Sequence, residues 1–408
     1  MSSTGTYRSW RPNSFQVMVK PRGSICNLDC TYCYFLSKEK MYPDSSFTMS
    51  NELLENFTRQ YIQAQRMQKV TFVWQGGEPT LMGLNFFRKA AEFQRMYAHP
   101  GMRVENAFQT NGTLLDDDWC MFFKENNFLV GISIDGPPEL HNWHRKDKGG
   151  VDTSNDVLRG LTLLKKHDVD FNILCTVHAA NVENPLEVYQ YFRDKLGVEF
   201  IQFIPIVERN NKTGFQTGNK IRNRSVTGKK YGAFLKTVFD EWVSNDVGTV
   251  FVQIFDEALG KWLGSPGGLC VFDKTCGLGL VIEHNGDLFS CDHFEEPKYK
   301  LGNIIETDMI DMVTSHKQSK FGMQKRDSLP QFCLDCEVRF VCNGGCPKNR
   351  VKHTPNGVYG LNYLCEGYRA FFNHIDESMR IMVDLIRRRR QPAEIMNQKY
   401  NEILQLYC

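Results

Sequence analysis

Between residues 15 and 245, short apolar runs alternate with longer stretches in which apolar residues recur every three or four positions. The runs at 15–19, 70–75, 104–110, 128–135, 171–177 and 200–206 predict strands. Helical periodicity predicts helices over 51–67, 84–98, 116–126, 153–166 and 185–196, with another over 231–243. In the first of these, Leu53, Leu54, Phe57, Tyr61 and Ile62 fall on one face. Strand–helix units repeated in series imply a parallel sheet with helical crossovers. The units are fewer than a closed barrel of this type carries, so the pattern predicts an α/β fold built on an open, partial barrel. Its lateral mouth suits a large peptide substrate.

Chemistry in parallel barrels collects on the loops that follow the C-terminal ends of the strands. Here the first strand runs into residues 25–35, Ile-Cys-Asn-Leu-Asp-Cys-Thr-Tyr-Cys-Tyr-Phe, which set Cys26, Cys30 and Cys33 in a C-x3-C-x2-C run. Gln75-Gly-Gly-Glu-Pro79 follows the second strand, Asn111-Gly112 the third, and Ser133-Ile-Asp135-Gly136 ends the fourth. The unusual residues therefore share one rim. Iron–sulfur clusters are held by cysteine thiolates, and three thiolates with no fourth nearby leave one iron of a cubane open. An open metal site is what catalysis needs, whereas a closed four-ligand site is structural. A zinc knuckle or three free thiols would satisfy the same spacing. Gly76 and Gly77 permit a ligand close to the backbone, and Glu78 offers a carboxylate to an ammonium group. A plain turn at a strand exit reads the same way.

The chain has 408 residues and a formal net charge of +2, with 41% hydrophobic and 24% charged residues. That is ordinary for a globular protein with a sizeable core, and the small net charge argues against a nucleic-acid field. No run nears the ~18 apolar residues of a membrane span. Residues 1–11 are polar, without an apolar signal core. A cytoplasmic location with no membrane or nucleic-acid partner is therefore expected, and the 14 cysteines are poor candidates for disulfides.

Beyond residue 250 the strand–helix pattern stops and Cys270, Cys276, Cys291, Cys333, Cys336, Cys342, Cys346 and Cys365 gather. Eight thiolates make two complete four-cysteine sites, for iron–sulfur clusters or for zinc. Of the remaining cysteines, Cys175 sits in an apolar strand as a small hydrophobe, Cys120 on an amphipathic helix, and Cys408 ends the chain. Residues 210–230 carry Lys212, Lys220, Arg222, Arg224, Lys229 and Lys230 with no acid, and predict a solvated loop beside the rim. Residues 378–407 predict a helical tail whose arginines at 387–390 form a solvated face.

The C-x3-C-x2-C run, with Tyr32 before its last cysteine, resembles the radical S-adenosylmethionine superfamily. Cys270-x5-Cys276-x14-Cys291-Asp292, followed by Leu301-Gly-Asn-Ile304 and the cysteine quartet, resembles the SPASM domain of that superfamily. Over about residues 15–372 the motifs Cys-Asn-Leu-Asp-Cys-Thr-Tyr-Cys, Trp-Gln-Gly-Gly-Glu-Pro-Thr-Leu, Gln-Thr-Asn-Gly-Thr-Leu and Cys-Asp-His-Phe are similar to the anaerobic sulfatase-maturating enzymes. The resemblance implies a partial (β/α)6 TIM-like barrel over 1–245, a small cysteine-rich SPASM domain over 246–372 binding two Fe–S clusters, and a helical tail over 373–408. It implies S-adenosyl-L-methionine and three [4Fe–4S] clusters as cofactors. Cys26, Cys30 and Cys33 would hold the catalytic one. Carried over from the family, Cys270, Cys276, Cys291 and Cys346 hold one auxiliary cluster, and Cys333, Cys336, Cys342 and Cys365 the other.

By the same resemblance Gly76, Gly77 and Glu78 match the segment that meets the methionine amine. Arg145, in His141-Asn-Trp-His-Arg145, matches the arginine that meets the methionine carboxylate. Ser133 and Asp135 would reach ribose hydroxyls, and Tyr32 and Ile201 would line the adenine pocket. Each has a plainer reading. Ser133 and Asp135 suit helix caps, Arg145 a solvated charge, and Tyr32 and Ile201 core packing. His141 and His144 have zinc-like spacing without a carboxylate or thiol partner nearby, and read as structural.

The implied activity oxidises one cysteine or serine, in a Cys/Ser-x-Pro-x-Arg segment of an unfolded or nascent sulfatase, to Cα-formylglycine. A 5′-deoxyadenosyl radical takes a hydrogen atom from Cβ, a base takes the thiol or hydroxyl proton, and one electron leaves towards an auxiliary cluster. Asp292 matches the family's catalytic aspartate; the competing reading has its carboxylate accepting backbone hydrogen bonds around the cluster loop. An electron donor such as a flavodoxin or ferredoxin, and a monomeric state, complete the expectation. One alternative is a SPASM enzyme that forms a thioether or carbon–carbon crosslink in another peptide. The other is an electron carrier or zinc-stapled scaffold, which has no use for an open iron beside residues 76–78.

Overall fold

In the computed structural model of the chain, residues 12–397 are described, apart from Lys212. Residues 1–11, the end of the expected tail helix and Cys408 lie outside the described residues. The six expected strands are present as β1 (Gln16–Lys20), β2 (Lys69–Trp74), β3 (Arg103–Thr110), β4 (Phe128–Ser133), β5 (Phe171–Val177) and β6 (Phe200–Pro205). Between them run α1 (Asn51–Ala64), α2 (Leu84–Tyr97), α3 (Asp117–Glu125), the short α4 (Pro138–Asn142), α5 (Ser154–Lys166) and α6 (Pro185–Gln190); α7 (Gly228–Asn245) and α8 (Gln253–Trp262) follow β6. Caps fix several starts: the Ser50, Asp116 and Thr227 side chains accept from the backbone N–H groups of Leu53, Trp119 and Lys230. Because Thr227 caps α7, that helix begins before residue 231 and the basic loop ends earlier than expected. The helix expected over 185–196 is α6 continued by a π-helical turn, Tyr191–Lys195.

Strands β1 to β6 lie side by side in chain order, all parallel, as the repeated crossovers require. Both edges carry more than the hydrophobic pattern predicts. A two-residue β7 (Phe251–Val252) pairs parallel with β6. On the other side β8 (Gly279–Glu283) pairs parallel with β1 from Gln16↔Gly279 to Lys20↔Glu283. Antiparallel β9 (Asp287–Phe289) and β10 (Lys300–Asn303) extend it. One ten-stranded sheet therefore runs from the barrel into the cysteine-rich half. Residues on either side of Cys291 are thereby anchored next to the strand that precedes Cys26.

Side chains alternate across each strand, and the inner and outer layers differ. Phe72, Trp74, Phe108 and Phe128 turn towards the helices and pack edge-on or tilted against Phe57, Phe87, Trp119 and Phe123. Burial of each such ring contributes roughly 1.5–3 kcal/mol. The opposite face of the strands, with Gln109 and Ser133 hydrogen-bonded at 3.0 Å, lines the open interior. Beyond β10 come the hairpin β11 (Arg350–His353) with β12 (Tyr359–Asn362) and the long helix Cys365–Arg387. That helix crosses α7 at glycines: a Cβ on Gly232 would stand 2.6 Å from Cα of Gly367. The close crossing seats Cys365, at the helix start, against the rest of the cysteine-rich half. No helix among the described residues is long and apolar enough to cross a membrane.

Candidate active site

The loop carrying Cys26, Cys30 and Cys33 leaves β1 at Lys20 and is clamped from two sides. On one side Gly77 N donates to Gly23 O and Glu78 N to Ile25 O, each at 2.8 Å. On the other, Asp29 N donates to Lys146 O at 2.9 Å and Thr31 N to His144 O at 3.1 Å. A Cβ at position 77 would lie 1.9 Å from the Ile25 carbonyl oxygen. Gly77→Ala must therefore push the cysteine loop away from its brace. The expected result is loss of about four irons per chain from the reconstituted protein, the content of one cubane, measured by iron and sulfide assay against wild type.

Burial pushes the Cys26 and Cys30 thiols up to about 12, Glu78 adding to the effect at Cys26. Left alone they stay protonated; a bound metal is what would hold them as thiolates. Among the described residues no three His, Cys, Asp or Glu side chains form a group that could hold a single metal ion. A four-iron cluster has its ligating corners further apart than the ligands of one ion.

The structure puts two of the expected cofactor-binding carboxylates to other uses. Glu78 is buried and accepts from Thr80 N (3.1 Å), Thr80 Oγ1 (2.8 Å), Thr110 Oγ1 (2.8 Å) and Asn111 N (2.8 Å). Its carboxylate joins the exits of β2 and β3 rather than facing an ammonium. Asp135 is fully buried and accepts from Arg145 Nε (2.8 Å), Tyr32 OH (2.5 Å) and Thr176 N (2.9 Å). Burial would raise its carboxyl, but Arg145 foremost, and His178 and His141 with it, together outweigh that and hold it down at about 2. Asp135 therefore anchors Arg145 and Tyr32 at the rim. Arg145 is buried as well, with its guanidinium 5.5 Å from the centre of the Tyr32 ring, so it is not a solvated charge.

Ile201 is a buried residue of β6. It lies at the N-terminal end of β6, away from the rim, and shares the parity of Phe203, which packs on Phe234 of α7. At the rim end the other parity presents Ile204, 43% exposed. Ser133, at the rim end of β4, does face the interior. His141 and His144 serve local bonds, to Thr153 (3.2 Å) and Thr31 (2.5 Å). The loop after β6 is only partly solvated: Arg224 pairs with Glu208, and Arg209 donates to the Gly218 and Lys348 carbonyls.

Asp292 is brought to the cysteine loop by the β1–β8 pairing. It follows Cys291 in a short 3-10 turn, and its Oδ1 lies 2.6 Å from Lys20 Nζ while Oδ2 accepts from Tyr34 OH at 2.7 Å. Lys20 is almost wholly buried beneath the Phe35 ring. Burial opposes the charge on Asp292, yet Lys20 and the Tyr34 hydroxyl hold its carboxyl well below the usual carboxylate range. Neither Lys20 nor Tyr34 emerges from sequence reasoning. Their only signals are a lysine ending an otherwise apolar strand and a second tyrosine directly after Cys33.

The eight later cysteines sort into two neighbourhoods. Cys276 and Cys291 each feel the thiols of Cys270 and Cys346. Cys342 feels Cys365, Cys336 and Cys333, and those four line one recess with Phe332, Leu361 and Arg369. The two groups are interleaved along the chain, because Cys346 belongs with the first and Cys333 to Cys342 with the second.

A model of the radical SAM superfamily matches residues 21–192, and one of an iron–sulfur cluster-binding domain, SPASM, matches residues 275–337. The chain is 46% identical to a serine-type anaerobic sulfatase-maturating enzyme of Bacteroides thetaiotaomicron, over 93% of this chain and 94% of that protein. It is 36% identical to a cysteine-type enzyme of Clostridium perfringens, over 88% and 95%. A solved structure of native anSMEcpe with bound AdoMet and the Cp18Cys peptide superposes with a TM-score of 0.81 at 34% identity, covering 91% of this chain and 99% of that one. The chain belongs to the anaerobic sulfatase-maturating enzymes of the radical SAM superfamily.

Proposed function

We propose that this chain oxidises a cysteine or serine, within a Cys/Ser-x-Pro-x-Arg segment of a sulfatase polypeptide, to Cα-formylglycine. The observation that carries the reading is the junction at Asp292. A carboxylate adjoining one four-cysteine group is held by Lys20 and Tyr34 at the edge of the three-cysteine loop. When bound there, S-adenosyl-L-methionine and its [4Fe–4S] cluster supply abstraction of the Cβ hydrogen atom. Asp292 accepts the proton of the substrate thiol or hydroxyl, at the oxygen it presents to Tyr34 or at the one it presents to Lys20. The Lys20 ammonium keeps that carboxylate ionised and ready, and the Phe35 ring covers Lys20.

Cys26, Cys30 and Cys33 hold the catalytic cluster. Cys270, Cys276, Cys291 and Cys346 hold one auxiliary cluster, and Cys333, Cys336, Cys342 and Cys365 the other. The backbone at Gly76 and Gly77, together with Ser133 and Tyr32, borders the cofactor. Arg145 spends Nε and Nη2 on Asp135, leaving Nη1 for the methionine carboxylate. Ile204 takes the adenine-facing position in place of Ile201. The barrel takes residues 1–245, the auxiliary-cluster domain 246–372 and the tail 373–408. The substrate is an unfolded or nascent polypeptide reaching the rim through the open side of the barrel. A flavodoxin- or ferredoxin-like protein supplies electrons, and the enzyme works as a cytoplasmic monomer. Anaerobic reconstitution tests the cofactor assignment: about twelve irons per chain are expected from three four-iron clusters, and about four irons with stoichiometric zinc would defeat it.

A further inference from the structure

The two auxiliary sites are divided by buried positive charge. Lys325, fully buried in the helix His316–Asp327, donates to the carbonyl oxygens of Cys270 (2.5 Å) and Val271 (3.0 Å). Arg350, at the start of β11 and 7% exposed, donates to the carbonyl oxygens of Lys325 (2.7 Å), Asn343 (3.2 Å) and Gly344 (3.2 Å). Each is met by carbonyl dipoles, and among the described residues neither forms an ion pair with a carboxylate. A buried charge without a counter-charge is costly. Burial lowers the Lys325 ammonium from its ordinary value, and the ionisable groups that oppose that loss of charge are the thiols of Cys276, Cys346 and Cys270. Those facing Arg350 are the thiols of Cys333, Cys276, Cys346 and Cys342. Four thiolates on an iron–sulfur cluster would provide the missing negative charge on both sides.

The arrangement is lopsided. Arg350 is shared between the two groups, whereas Lys325 faces only Cys270, Cys276 and Cys346. Lys348 also faces Cys346 and Cys291. The acids on that side, Asp292 and Asp273, are each tied to a lysine, Lys20 and Lys261. On the far side Glu337, near Cys336, is tied to the half-exposed Arg369, and Lys352 faces Cys365. Fixed positive charge at short range in a low-dielectric interior favours the more negative, reduced state of a cluster.

We propose that Lys325 makes the Cys270–Cys276–Cys291–Cys346 site the stronger electron acceptor of the two auxiliary sites. The inference rests on the cluster assignment above. In the step it serves, the substrate Cβ radical loses one electron and its S–H or O–H proton as the carbon–heteroatom double bond forms. Asp292 would take the proton, and a cluster held by Cys270, Cys276, Cys291 and Cys346 would take the electron. Lys325 touches neither substrate nor reacting atoms; it is a positioning residue acting through the cluster.

The test is an EPR-monitored redox titration of the reconstituted full-length chain, with Cys26, Cys30 and Cys33 replaced by alanine so that only auxiliary signals remain. Lys325→Met is expected to weaken reduction of the higher-potential couple about tenfold, a shift of ~59 mV for one electron. The lower-potential couple should stay in place, and Lys325→Arg should restore the first. Retained iron with both couples unmoved overturns the proposal. Loss of auxiliary iron in both Lys325→Met and Lys325→Gln also overturns it, by assigning the residue to cluster assembly. A parent protein holding zinc in place of the auxiliary iron would instead defeat the cluster assignment itself.

Discussion

Replacing Cys26, Cys30 and Cys33 together with alanine is expected to abolish cleavage of S-adenosylmethionine while leaving the auxiliary iron in place. The sulfonium would lose both its anchor and its source of electrons. The later cysteines are held by different elements: β8 and the turn after β9 carry the approach to Cys291, and the crossing of α7 by the helix Cys365–Arg387 seats Cys365. The clamp on the emptied loop survives, since its bonds run between backbone groups of residues 23–31, 77–78 and 144–146. Iron content should therefore fall by about four per chain, one cubane's worth. Release of 5′-deoxyadenosine by the triple variant would place the radical chemistry elsewhere.

Asp292→Asn is the second large effect. Asparagine keeps the shape and still accepts from Tyr34, but it cannot take a proton. Loss of a positioned general base costs roughly 10²–10⁴-fold in rate, so formylglycine should fall by that factor. Hydrogen abstraction precedes or accompanies the proton step, so 5′-deoxyadenosine should continue to form when peptide is present. A merely structural carboxylate predicts a different outcome: disturbed packing at Cys291, lost iron, and both products falling together. The Lys20 contact adds a pH signature. Because Lys20 depresses the Asp292 carboxyl, the ionised base persists as pH falls through the ordinary carboxylate range. Formylglycine formation in wild type should show no acidic limb from this residue there. Full iron with undiminished aldehyde in Asp292→Asn would remove it from the mechanism.

Periodicity made the six barrel strands and their helices legible, because each strand pairs one helix-facing parity with a more polar inner one. It missed β8, whose apolar content is the short Leu-Val-Ile run at 280–282 among glycines and cysteines. That strand matters most for the site, since it docks the cysteine-rich half on β1 in register. Motif position put Glu78, Asp135 and Arg145 near the rim, but a sequence does not reveal which partner claims a carboxylate. Local threonines and backbone amides claim Glu78, and Arg145 claims Asp135. The core setting of Ile201 follows from strand parity and position along the strand, both visible only once the ends of β6 are fixed. Lys325 carries no signal in the sequence; its burial depends on carbonyls 54 and 55 residues away.

The most direct measurement incubates the anaerobically reconstituted enzyme with S-adenosylmethionine, a one-electron reductant and a sulfatase-derived peptide containing Cys-x-Pro-x-Arg or Ser-x-Pro-x-Arg. Mass spectrometry then follows the cysteine or serine, with hydrazide trapping to report an aldehyde. The account predicts a trapped aldehyde at that residue, formed together with 5′-deoxyadenosine and absent from the triple-alanine variant. A thioether or carbon–carbon crosslink, or 5′-deoxyadenosine formed at full iron content with the peptide unchanged, would contradict it.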